Sequence, residues 1–266
     1  MATASSLEGS FNFRDTGGVP LTSGGATRSG VLYRSDALSG LTPAGLEQVA
    51  ATDIGVIVDF RTPMERMMAP DRLPPTRPYR VVELALLEGA LTGLAQQAMQ
   101  AGAPGGDPDA AAAAVGEALA QLPSLGALYV SMLTHGAEAF AELARLVATG
   151  EVGVLVHCTA GKDRTGVAIA LLLDGVGAER AAVVADYAAS EANLSGAWAD
   201  GMFAMVDAMG VPRTPTLDEL IAATPPAAIE EALAWVDREH GGSAAYLRSG
   251  GLNEAELAAL RRRLTE

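Results

Sequence analysis

At 266 residues, 49% hydrophobic and 19% charged, the chain is long enough to bury one sizeable core without covalent staples. A formal net charge of −14 excludes the basic footprint that nucleic acid or an anionic membrane face demands. A single cysteine excludes an intrachain disulfide and suits a reducing compartment. No run approaches the ~20 apolar residues of a membrane span, and the first residues lack a basic stretch followed by an apolar one. The expectation is a soluble, cytoplasmic chain with no stable membrane insertion and no nucleic-acid partner.

In chain order, short apolar or β-branched runs occur at Val31 to Tyr33, Ile54 to Phe60, Tyr79 to Leu87 and Val152 to His157. Helical patterns separate them, and that alternation predicts a single α/β domain over 1–266 with a mostly parallel sheet flanked by helices. Thr42-Pro43 marks a helix start. The Ala/Gly-rich stretch 89–124, with Ala103-Pro104-Gly105-Gly106-Asp107-Pro108 at its middle, is expected to be a mobile insertion. A helix from about Leu125 to Ala148 leads into the fourth strand, and beyond it the pattern is helical to the end. Thr224-Pro225 and Asn253 with Glu256 read as further caps. Segment 193–224 carries Trp198, Met202, Phe203, Met205 and Met209, an apolar group suited to core packing or to a helical cover.

The densest chemistry lies where the fourth strand ends. Val154-Leu155-Val156-His157-Cys158 runs into Thr159-Ala160-Gly161-Lys162-Asp163, and Arg164-Thr165-Gly166 then opens an apolar helix through Val167, Ile169, Ala170, Leu172 and Leu173. Attack on a phosphomonoester needs an ionised sulfur, and a free thiol is mostly protonated at neutral pH. A helix N-terminus, nearby cations and inward-pointing amides all favour the thiolate. The same backbone N–H groups and helix dipole accept a phosphate oxygen. Arg164, five residues past the sulfur, returns to the rim, where its planar fork can grip two phosphoryl oxygens as a lysine could not.

His-Cys, five residues, Arg-Thr resembles the signature of the Cys-based protein tyrosine phosphatases, and Ala-Gly-Lys-Asp-Arg-Thr-Gly is most similar to the bacterial protein tyrosine phosphatase B type. Shorter similarities follow in order. They are Asn12-Phe13-Arg14-Asp15 with Gly17-Gly18, Leu32-Tyr33-Arg34-Ser35, Val58-Asp59-Phe60-Arg61-Thr62, Ala185-Asp186-Tyr187, and Gly241-Gly242-Ser243 with Tyr246-Leu247. The resemblance implies a phosphatase using no cofactor and no metal, acting on phosphotyrosine, with phosphoserine/threonine and phosphoinositides as further substrates. It implies Cys158 as nucleophile through a phosphocysteine, Arg164 as phosphate binder, Thr165 as a hydroxyl easing the sulfur's departure and His157 as the organiser of the loop. Thr159, Ala160, Gly161, Lys162 and Gly166 would line the phosphate. It also implies a helical lid over 193–224, and export without a signal peptide as an alternative to a cytoplasmic life.

Two carboxylates compete for the general acid. Asp163 lies inside the loop beside Arg164, while Glu88 stands in Leu84-Ala85-Leu86-Leu87-Glu88-Gly89, where the resembling family tends to carry aspartate. Asp163 is favoured. Lys162, the only lysine of the chain, is either a contact for a second phosphate or a solvated cation. Arg14, Asp15 and Arg61 either face the pocket or, with Arg34, tie loops to the sheet through nearby aspartates. His135 and His240 have no ligand-spaced partner. The oligomeric state is left open. Two other classes fit a cysteine loop: a rhodanese- or arsenate-reductase-like thiol enzyme, disfavoured by Arg-Thr-Gly and the lack of a second cysteine, and an inactive phosphate-binding module.

Overall fold

The computed structural model describes residues 6–86, 123–208 and 213–266. Five strands form one sheet in the order β1-β2-β5-β3-β4: β1 Arg14–Asp15, β2 Leu32–Ser35, β3 Ile54–Asp59, β4 Arg80–Glu83 and β5 Gly153–His157. All neighbours run parallel except β1, which pairs antiparallel with β2. The sequence-predicted strands are therefore present. The third is shorter than its apolar run, and β1 was missed because two residues carry no periodicity.

In β5 Val154 and Val156 join the larger core while Leu155 joins the smaller one on the opposite face, the period-two alternation of a strand covered on both sides. In β3 Ile54 and Ile57 share the smaller core, three residues apart. A register irregularity between Ile54 and Val56 accounts for the slip.

Ten α-helices lie among the described residues: α1 Pro43–Ala50, α2 Pro63–Met68, α3 Leu125–Thr149, α4 Asp163–Gly175, α5 Arg180–Leu194, α6 Ala197–Ala208, α7 Pro215–Ala222, α8 Pro226–His240, α9 Ser243–Ser249 and α10 Glu254–Thr265. The Thr42 hydroxyl caps α1, and Asn253 with Glu256 forms a reciprocal capping box at α10, as the sequence predicts. Thr224 does not cap. Its hydroxyl donates to the Ala188 carbonyl at 2.9 Å, its N–H donates to Glu191 Oε2 at 2.9 Å, and α8 begins two residues later. No helix among the described residues is long and apolar enough to cross a membrane.

α4 is buried from Arg164 through Leu173, so it is a central post and not a surface helix. Trp198, Met202 and Phe203 of α6 pack against the larger core, while Met205 is half exposed. Met209, Glu88 and nearly all of the insertion expected over 89–124 lie outside the described residues.

Candidate active site

Three parallel strands end together. Ser35 of β2 and Asp59 of β3 stand in register with His157 of β5, and in open parallel sheets the crevice beyond the carboxyl ends is where ligands are held. The chain leaves β5 at His157, turns through 158–162 and enters α4 at Asp163. Gly161 has φ +64°, and a Cβ there would lie 2.1 Å from the Ser35 carbonyl oxygen; the turn admits only glycine. The loop's carbonyls are taken from outside. Ala37 N–H donates to Thr159 O at 3.0 Å, Asn12 Nδ2 to the oxygens of Ala160 and Gly161 at 3.0 Å each, and Arg34 Nη2 to Gly161 O at 2.7 Å. With its carbonyls so held, the loop can turn its N–H groups inward as an anion nest beside the dipole of α4. Cys158 is buried at the loop's start, 2% exposed.

The residue that sequence reasoning missed is Glu65. The motif Thr62-Pro63-Met64-Glu65 is a capping box: Thr62 Oγ1 accepts from Glu65 N, and Glu65 Oε2 accepts from Thr62 N at 2.8 Å. The same carboxylate takes Arg164 end-on, Oε2 from Nη1 at 2.8 Å and Oε1 from Nη2 at 2.6 Å, and accepts the Thr159 hydroxyl at 2.6 Å. Burial works to raise the Glu65 carboxyl, but its bonds to Arg164, Thr159 and the Thr62 N–H outweigh that and bring it down to about 2. Burial likewise works against the Arg164 charge, and Glu65 with the charges of Cys158 and Asp163 more than restores it. Among the described residues no acceptor engages Arg164 Nε. The side-on edge of the fork is thus left for a ligand while the end-on edge is fixed.

Asp163 opens α4 with its side chain 29% exposed, and its Oδ1 accepts from the Tyr129 hydroxyl at 2.6 Å. Tyr129 in turn shares a 2.8 Å hydrogen bond with Tyr187. Burial and the neighbouring Asp163 charge push the Tyr129 hydroxyl far above its ordinary range, so it stays a donor. Lys162 fits neither sequence reading of it. It is fully buried, and its ammonium donates to the carbonyls of Leu220 at 2.8 Å and Ala223 at 3.0 Å, at the C-terminal end of α7, with Asp163 Oδ1 at 3.7 Å. A cation there completes orphan carbonyls and meets the negative end of the helix dipole. In Lys162→Met protein, amide exchange across α7 should quicken by about tenfold or more, given ~1.5–3 kcal/mol for a charged hydrogen bond. Hydrogen-exchange mass spectrometry checks this, and unchanged protection would show that the tether carries no weight.

Behind the loop, His157 is fully buried. Its Nδ1 lies 3.3 Å from the Cys158 carbonyl oxygen and its Nε2 lies 3.1 Å from Asp71 Oδ2 and 3.9 Å from Asp59 Oδ1. Asp59, Asp71 and His157 bring ligand-type atoms within 4.8 Å of one another. The cation serving this cluster is already a side chain. Arg61 Nη2 sits 2.8 Å from Asp59 Oδ2 and 2.9 Å from Asp71 Oδ2, and Nη1 donates to Ala69 O at 2.7 Å.

Of the residues weighed as pocket contacts, Arg61 therefore belongs to this network. Arg14 pairs with Asp186 at 2.9 Å and bonds Ser190, while Asp15 accepts the N–H groups of Gly17 and Gly30 at 2.8 Å each. Arg34 is fully buried between Asp186 and the loop. Arg34 thus holds the loop directly and Arg14 braces it through Asn12, while Asp15 pins the chain around β1. Thr165 Oγ1, at the start of α4, is buried with no hydrogen-bond partner among the described residues, and Gly166 packs directly beneath the Tyr187 ring.

A cysteine-mouthed anion loop between the central strand and a buried helix, its arginine clamped by a carboxylate from a second loop, defines a phosphate-handling enzyme. The chain belongs to the tyrosine phosphatase family, whose model matches residues 5–266. It is 30% identical over 234 residues to a tyrosine-protein phosphatase of Nostoc commune, covering 87% of this chain and 73% of that one. It is 28% identical over 280 residues to the triple specificity protein phosphatase PtpB of Mycobacterium tuberculosis, covering 96% of each. This family membership sets the chain with the phosphatases and apart from the rhodanese- and arsenate-type thiol enzymes.

Proposed function

We propose that the chain hydrolyses phosphotyrosine through a phosphocysteine on Cys158, with phosphoserine/threonine and phosphoinositides as further substrates. The observation that carries this reading is the pairing of a buried Cys158 with an Arg164 fork fixed end-on by Glu65 and open side-on. The Cys158 thiolate attacks phosphorus, the P–O bond to the leaving group breaks, and Asp163 gives that oxygen its proton. Water then attacks the phosphocysteine, Asp163 takes its proton back, and the Thr165 hydroxyl stabilises the departing sulfur. Charge in both transition states lies on the equatorial oxygens, where the loop N–H groups and the free edge of Arg164 are aimed. α6 and α7 serve as the cover of the site, tied down at Lys162. The name of the mycobacterial relative supports the wider substrate range. The lone thiol suits the cytoplasm as the place of work.

The test is an assay of wild-type and Asp163→Asn proteins without added metal, on an aryl phosphate, a phosphotyrosine peptide and short-chain phosphoinositides. A fall of about 10²–10⁴-fold on the peptide, smaller on the aryl phosphate whose leaving group needs little protonation, is expected for the acid. Equal, small losses on both would remove Asp163 from that role. Wild-type silence on every substrate, with inorganic phosphate still bound, would establish a binding module instead.

A further inference from the structure

The nearest charged neighbour of His157 is Asp71, a residue in the segment after α2 that none of the loop's own chemistry invokes. Both ring nitrogens face oxygen atoms. Nδ1 faces the Cys158 carbonyl oxygen at 3.3 Å and Nε2 faces Asp71 Oδ2 at 3.1 Å. A bare nitrogen lone pair against either oxygen would be repulsive, so both positions call for an N–H, and a neutral imidazole has only one. The Nε2–H does not point straight at the carboxylate, which makes this contact an ion pair more than an aligned hydrogen bond.

The surrounding charges agree. Facing the ring are Asp59 from β3 and Asp71, with Arg61 wedged between their carboxylates. Asp36, after β2, is turned away toward Ser10 and the N–H groups of Phe11 and Asn12. Arg164 is neutralised by Glu65. Two carboxylates and one guanidinium leave one buried negative charge, and a protonated His157 cancels it. Asp71 is itself anchored, its Oδ1 accepting from Leu38 N at 3.0 Å, so it cannot drift from the ring. Burial works to raise the Asp71 carboxyl, but His157 and Arg61 hold it below its ordinary range.

We propose that Asp71 is a positioning residue for the nucleophile: its carboxylate keeps the buried His157 ring protonated on both nitrogens, and that cation, one residue from the sulfur, favours the Cys158 thiolate. The step rests on Cys158 being the nucleophile, as set out above. Its test reads the sulfur without turnover, so failure of one reading is distinguishable from failure of the other.

Because the chain has one cysteine, the ultraviolet absorbance of the thiolate, each protein taken against its own Cys158→Ser blank, titrates this sulfur alone. In Asp71→Asn protein the titration midpoint should rise by about one pH unit, and the acid limb of kcat/KM should move with it. In a His157→Gln background the same Asp71→Asn change should leave the midpoint where it was. An unmoved midpoint in the first background, or an equal rise in both, overturns the proposal. Should Asp71→Asn fail to fold, nitrogen NMR of the wild-type imidazoles decides the matter, with only three histidines to assign. Both His157 nitrogens protonated at pH 7 sustains the proposal, and one bare nitrogen ends it.

Discussion

Cys158→Ser protein should lose phosphatase activity by on the order of 10⁴-fold or more, the scale seen when a nucleophile that works as part of a unit is removed, while still folding and still binding inorganic phosphate. A serine hydroxyl in the same place is almost entirely protonated, and among the described residues no base is hydrogen-bonded to this position. The oxygen replaces a sulfur that is 2% exposed, a small change of volume in a loop whose carbonyls are held by Asn12, Arg34 and Ala37. The anion nest and Arg164 are untouched, so calorimetric binding of phosphate should stay within a few-fold of wild type. Activity retained within tenfold would sink the phosphocysteine mechanism. Lost activity together with lost phosphate binding would show a collapsed loop and call for Cys158→Ala in its place.

Glu65→Gln should damage stability and rate together. The carboxylate sits 11% exposed and neutralises Arg164, and removing one partner of a buried ion pair leaves the other charge uncompensated. The folded-state carboxyl lies at about 2 against an ordinary 4.5, a difference worth about 3 kcal/mol. Since the folded value is the lower one, this stability is fully present above the ordinary value and is lost as pH falls toward 2. The gap between wild type and Glu65→Gln in urea unfolding should therefore be about 3 kcal/mol at pH 7 and should shrink between roughly pH 4.5 and 2. A gap below about 0.5 kcal/mol at pH 7, the size of an ordinary surface change, would refute the role. The fork of Arg164 would also swing free, and misplacement of that order costs about 10²-fold in kcat/KM.

The difference between what the sequence discloses and what it hides here is one of range. The cysteine loop is legible because its whole pattern fits within nine residues, from His157 to Thr165, and the flanking strand and helix declare themselves by period. Glu65 is half legible. Its capping box with Thr62 is a local pattern, but its bond to Arg164 joins residues 99 apart, which no spacing rule reaches. Lys162 looks like a free cation because loop lysines usually are. Only the fold brings the end of α7 over it. Arg14 and Arg61 carry the right charge for a phosphate pocket and Asp15 stands beside Arg14 in sequence, yet each meets a nearer partner in the folded chain. Thr224 precedes proline as a cap would, but its hydroxyl is drawn off by α5.

The chain's only lysine is fully buried and four residues from its only cysteine, which is also buried. The folded surface consequently offers no lysine ε-amine for acetylation, ubiquitin transfer or aldehyde cross-linking. Amine- and thiol-directed reagents, normally blunt instruments, become two reporters on one loop when read at the Lys162 and Cys158 side chains. Ammonium labelling marks the moments when α7 lifts from Lys162, and thiol labelling marks those when Cys158 can be reached, so that their ratio times how closely the two openings coincide.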